Sequence, residues 1–105
     1  MKVQHALMLS AGLLLSAPAM AADGAALMKQ HNCTTCHQVD KKTVGPALQA
    51  IAAKYAGDAG AAAKLEKKVR SGGAGSFGTM PMPATPAKVS DGDIEVMVKH
   101  ILATK

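Results

Sequence analysis

Cys33-Thr34-Thr35-Cys36-His37 is the stretch from which the rest of the chain is read. It sets two thiols one helical turn apart and places an imidazole directly after the second. Three chemistries compete for such a stretch. A thioredoxin-like dithiol sits beside a strand in a βαβ setting, and no strand-like run flanks these residues. A zinc site built from Cys33, Cys36 and two of His31, His37 and His100 has enough ligand atoms, but the second knuckle spacing is missing. A structural disulfide across so small a loop gains little entropy. The remaining reading accounts for all three side chains. The two sulfurs add to the two vinyl groups on one edge of a porphyrin, and the adjacent histidine supplies an imidazole nitrogen to the iron, which is the attachment signature of a c-type haem.

The flanking composition agrees with a buried prosthetic group. Lys2 and His5 precede an apolar run at 6–15, broken only by Ser10 and Gly12, and small residues follow around Pro18. This layout predicts a secretory signal peptide. The run is about half of the roughly 20 residues a membrane span requires. Ala19-Met20-Ala21 places the cut after Ala21, with Ala22 as the alternative, so residues 1–21 are the leader and 22–105 the single mature domain. That domain is near the lower limit for a core without a staple. Tyr55 and Phe77 are its only aromatics, Trp is absent, and much of its apolar content is alanine, which buries little area. With two cysteines three positions apart there is no disulfide framework to compensate. A large apolar group at the centre would.

Loss of Lys2 leaves eleven basic and seven acidic residues, a net charge of +4, with most of the basic residues in 41–70. Such a balance steers a protein toward acidic partners or membrane surfaces. Nucleic acid is a poor candidate partner, since the chain reads as exported and lacks aromatic stacking residues among its lysines, and the alternative is that the lysines simply keep a small protein soluble.

The pattern predicts an all-α fold of about four helices. Asp23 caps a first helix over 24–32 that delivers the chain to the cysteines. A second starts near Pro46, carries Leu48, Ile51, Ala52 and Tyr55 on one face, and stops at Gly57. Asp58 caps a third, with Ala61, Ala62, Leu65 and Val69 inward and Lys64, Lys67 and Lys68 mostly outward, ending at Gly72-Gly73. Ser90, with Asp93 three residues on, opens a fourth whose stripe is Ile94, Met97, Val98, Ile101 and Leu102. Between the last two lies a long loop, 72–89, containing Pro81, Pro83 and Pro86. A loop of that length in so small a domain makes sense if it wraps a ligand.

An electron-carrying haem needs its sixth iron position filled. Met80-Pro81-Met82-Pro83 offers two thioethers in a proline-stiffened segment of the wrapping loop, and methionine is the ligand that raises the reduction potential in cytochromes c. The residues alone leave either Met80 or Met82 as that ligand. Met28 and Met97 lie on helical faces and read as core.

Over essentially its whole mature length the chain resembles the small class I bacterial cytochromes of the cytochrome c-551 (cytochrome c8) type. The resemblance runs through CTTCH, VGPAL at 44–48, AAKYAG at 52–57, the FGTMPMP loop and the amphipathic last helix. It implies a small cytochrome c fold wrapped around one covalently bound haem c, with Cys33 and Cys36 as attachment points and His37 and Met82 as iron ligands. Met80 then takes an ordinary apolar position. It also implies that the Pro46 carbonyl accepts the other ring N–H of His37. Three positions depart from the best-known members. Phe77 replaces a Trp that hydrogen-bonds a haem propionate, Lys68 an Arg near the propionates, and Thr85 an Asn near the methionine sulfur. Phenylalanine cannot donate that bond, whereas a hydroxyl and an ammonium partly substitute.

The expected function is electron transport, not an enzymatic reaction. The chain reads as a soluble, monomeric periplasmic carrier of the respiratory chain, moving single electrons between periplasmic or membrane-bound redox proteins such as reductases, oxidases or peroxidases. Lysines such as Lys29 and Lys41 would ring the exposed haem edge. The rival class, a peroxidase or small-ligand sensor, needs an open distal position and, for peroxidase chemistry, a distal acid and base. His31 and His100 read as surface or helix-end residues. A dedicated subunit of one larger reductase is the third reading.

Overall fold

The computed structural model describes residues 23–105. The expected leader, its cut after Ala21, and Ala22 lie outside the described residues. Four α-helices follow in order: α1 Gly24–Gln30, α2 Leu48–Lys54, α3 Ala61–Ser71 and α4 Asp91–Leu102, with one 3₁₀ turn at Cys33–Thr35. Among the described residues the extended pairings are isolated bridges, His37 with Lys42 and Gly73 with Met82, so the fold is all-α as the periodicity predicts.

Local chemistry sets the helix ends. Asp23 accepts from the Ala25 N–H at 3.0 Å and caps α1, which ends two residues earlier than expected, at Gln30. Asn32 stops it by taking a left-handed conformation, φ 62°, which asparagine tolerates better than most residues. Helix α2 begins at Leu48, not near Pro46. The amides of Leu48 and Gln49 donate to the carbonyls of Gln38 and Val39 at 2.8 and 3.0 Å, so the chain just past the CTTCH stretch satisfies the free N–H groups of this helix start. Asp58 stands two residues before the cap of α3, Gly60, and accepts its amide at 2.8 Å. Lys64 pairs with Asp58 at 2.7 Å. That hydrogen bond is the main reason the Asp58 carboxyl is held below, and the Lys64 ammonium above, its ordinary range.

The expected capping box on α4 is half present. Ser90 accepts from the Asp93 amide at 3.0 Å, but the Asp93 carboxylate does not reach back. It takes a bond from His31 Nε2 at 3.2 Å, joining the ends of α1 and α4 across 62 positions of sequence.

Helix α4 is the hub and packs against each of the other three. It buries Ile94, Met97, Val98 and Ile101, each worth on the order of 1.5–3 kcal/mol relative to exposure. At its crossing with α1 the backbones approach so closely that a Cβ on Gly24 would strike His100 Cβ and lie 3.0 Å from the Val96 carbonyl oxygen. Leu27, Met28, Leu48, Ile51, Leu65, Val69 and Val89 complete the core, and no charged or polar residue is buried among the described residues.

Candidate haem site

The segment after the cysteines folds back on itself and, in doing so, orients His37. The Gly45 amide and the Thr43 hydroxyl both donate to the Cys36 carbonyl, each at 2.8 Å. That closure brings the Pro46 carbonyl to 2.8 Å from His37 Nδ1. A carbonyl only accepts, so Nδ1 carries a proton, and in the neutral ring that leaves the lone pair on Nε2, the tautomer a metal-binding imidazole needs. Gly45 makes room for the ring, since a Cβ there would sit 2.6 Å from His37 Cε1. This steric role has only a weak signal in the sequence, a glycine directly before a proline.

Cys33 and Cys36 are free thiols, half-buried and close to His37 in sequence. Burial, and to a lesser degree the neighbouring Cys36, push the Cys33 thiol above the ordinary cysteine range, so it stays protonated at neutral pH.

Cys33, Cys36, His37 and Met82 all line one cavity of about 610 Å³. That volume falls within the roughly 300–1,000 Å³ of small-molecule and cofactor sites. Its walls are mostly apolar, from Met28, Leu48, Ile51, Leu65, Val69, Met97 and Ile101. Two thiols, an oriented imidazole and a thioether around an apolar cavity fit a covalently attached haem. His31 and His100 do not line it. Among the described residues no three His, Cys, Asp or Glu side chains are grouped to hold a metal ion.

The wrapping loop supplies Met82 through backbone geometry. Gly73 and Met82 exchange two backbone hydrogen bonds, both 2.9 Å. Gly72 enters this pairing at φ 67°, and a Cβ there would run into the Met82 carbonyl and sit 2.7 Å from the Ala84 nitrogen, so only glycine serves. Met82 is half-buried and packs against the core, whereas Met80, also on the cavity rim, is 66% exposed.

Three surroundings bear on the expected haem contacts. The Thr85 hydroxyl donates to the Val69 carbonyl at 2.6 Å, so its single proton is committed there and is not free for the methionine sulfur. Lys68 lines the cavity with Lys41 and Lys42, the side on which the resemblance places it, and is not turned outward with Lys64 and Lys67; Lys29 lies away from the cavity. Phe77, which cannot donate to a propionate, carries the Lys54 ammonium 4.5 Å from its ring centroid, and the same ammonium bonds the Ser76 carbonyl.

Four helices around one such cavity define a small single-haem protein of the c type. The family model for cytochrome c matches residues 21–105. Cytochrome c-551 of Pseudomonas aeruginosa is 42% identical over 98 residues, covering 93% of this chain and 92% of its own length. Cytochrome c-552 of Nitrosomonas europaea is 46% identical over 96 residues, covering 91% of each. The crystal structure of wild-type Nitrosomonas europaea cytochrome c552 superimposes with a TM-score of 0.73 at 47% identity, covering 77% of this chain and 99% of that one. The chain belongs to the cytochrome c family, among the small class I c-type cytochromes of the c-551 type. Accordingly it is a small electron carrier and not an enzyme, and its cofactor is one covalently bound haem c with its iron. Among the described residues no helix is long and apolar enough to cross a membrane.

Proposed function

We propose that the mature domain, residues 22–105 after loss of the leader 1–21, is a soluble, monomeric periplasmic carrier. It would pass single electrons through a six-coordinate haem between respiratory partners such as reductases, oxidases or peroxidases. The observation that carries this reading is the convergence of Cys33, Cys36, His37 and Met82 on one apolar cavity. Haem iron supplies one-electron chemistry between its ferric and ferrous states. Cys33 and Cys36 hold the group by thioether bonds, so it is not lost in a dilute compartment. His37 presents Nε2 to the iron, oriented through the Pro46 carbonyl. Met82 would supply its thioether as the other protein ligand and so leave no open position for substrate. The apolar walls keep water from the iron, which favours the less charged ferrous form and small reorganisation on electron transfer.

Periplasmically expressed protein is expected to be red and to keep its haem through denaturing electrophoresis, read by peroxidase staining of the gel. Cys36→Ala should leave at most one thioether bond. Colourless protein from a host with working cytochrome maturation would sink the reading.

Lys41, Lys42 and Lys68 at the cavity against the single acid Asp40 give it a positive surround, beside the exposed apolar side chains of Val44 and Met80. Electron exchange with an acidic partner is expected to slow as ionic strength rises. Stopped-flow rates across a salt series check this, and a flat profile with several partners would point to apolar docking instead.

A further inference from the structure

Arg70, on the last turn of α3, binds three acceptors at once on the segment leading out of the Met82 loop. Nη1 donates to the Pro86 carbonyl at 3.1 Å, and Nη2 donates to the Val89 carbonyl and the Asp91 carboxylate, each at 2.7 Å. One side chain therefore ties α3 to the loop exit and to the first residue of α4. The backbone beside it continues the stitching: the Val69 carbonyl accepts from the Thr85 amide at 3.2 Å, and Gly73 pairs with Met82. From Met82 to Asp91 the chain is laced to the end of α3. The preceding turn, 74–81, is instead closed by Gly75 N–H on the Gly78 carbonyl at 2.9 Å and held by Lys54 on Ser76.

The three Arg70 contacts are unequal. The Asp91 side chain is 96% exposed, so that ion pair contributes little. The two carbonyl bonds are charge-assisted, and one of them serves Val89, whose residue is only 2% exposed. A planar guanidinium reaches both from one position, and an ammonium does not.

We propose that Arg70 is a positioning residue for the sixth iron ligand: by pinning Pro86 and Val89 it holds the strap that presents Met82 in its closed position, and so sets how readily the thioether leaves the iron. This rests on the reading of Met82 as ligand given above. The test uses the ferric holoprotein with imidazole as the competing ligand. Three quantities are followed: the rate of imidazole binding, the sulfur-to-iron charge-transfer band during heating, and the far-ultraviolet helix signal over the same range. Arg70→Leu should bind imidazole faster by about tenfold or more, the scale set by losing one charge-assisted hydrogen bond. Its charge-transfer band should disappear on heating before the helices melt. Arg70→Lys should fall between, and Asp91→Asn should stay near wild type. If Arg70→Leu binds imidazole at the wild-type rate and loses band and helices together, Arg70 only stabilises the fold and the proposal is overturned. Should that variant fail to fold, the same comparison on Arg70→Lys decides. Met82→Ala separates the two readings. If it keeps the band, the ligand reading fails and this proposal with it; if it loses the band while the Arg70 variants behave as wild type, only the role of Arg70 fails.

Discussion

Replacing Met82 with alanine is expected to abolish the sulfur-to-iron charge-transfer band, lower the reduction potential and let ferrous protein bind carbon monoxide, whereas Met80→Leu preserves all three native properties. The argument is geometric before it is chemical. Two residues apart in a proline-stiffened segment, both methionines cannot reach one iron. The double hydrogen bond to Gly73 fixes the Met82 backbone beside the core, and the Met80 side chain is 66% exposed. Axial ligation commands a range of roughly 0.8 V in haem proteins, so loss of a thioether should move the potential by a readily measured part of it. Visible spectroscopy, potentiometry and carbon monoxide titration on both variants check the outcome. The reverse pattern would put Met80 on the iron. If neither change matters, the sixth ligand lies elsewhere, and carbon monoxide binding by the unmodified protein would revive the sensor or peroxidase reading.

The second large effect concerns the haem-free chain. Cys33→Ser/Cys36→Ser, made without cofactor, should lose the four-helix fold altogether. Left unfilled, a cavity of about 610 Å³ deprives Leu48, Ile51, Leu65 and Val69 of the packing partners that the haem would supply. Whole domains have only about 5–15 kcal/mol of net stability, and this one is small. Far-ultraviolet circular dichroism with a denaturant titration reads the result. A cooperative transition from native-like helicity in the haem-free protein would show that α4 and its neighbours suffice without the group.

What was legible in the sequence was what short-range chemistry dictates. Attachment to a porphyrin forces Cys33, Cys36 and His37 into one local spacing, and the stripes of α3 and α4 follow from the helical repeat, so these could be read directly. In the sequence, resemblance and the prolines on either side of it select Met82 over Met80; the bridge to Gly73 that supports the same choice is a tertiary contact and leaves no local signal. The same cause hid the rest. Helix α2 starts two residues late because its free amides find carbonyls at Gln38 and Val39. Asp93 completes no capping box because His31 arrives from 62 positions away. Glycine at 45 and at 72 reads locally as loop punctuation, and its necessity appears only when an imidazole and a distant carbonyl occupy the space a Cβ would fill.

The hydrogen bonds that orient His37 have a consequence for assembly. They run from Cys36 to Gly45, from Cys36 to Thr43 and from His37 to Pro46, and all close within a dozen or so residues. Met82 instead depends on α3 being in place beside it. Closing the short segment costs little chain entropy, while bringing the far loop back costs more and waits on helix docking. With His37 and Met82 as the ligands proposed above, the two halves of the iron's coordination would be ordered in time: the histidine side could be set on a largely unfolded chain while the haem is being attached, and arrival of the thioether would mark the moment at which the rest of the protein has closed.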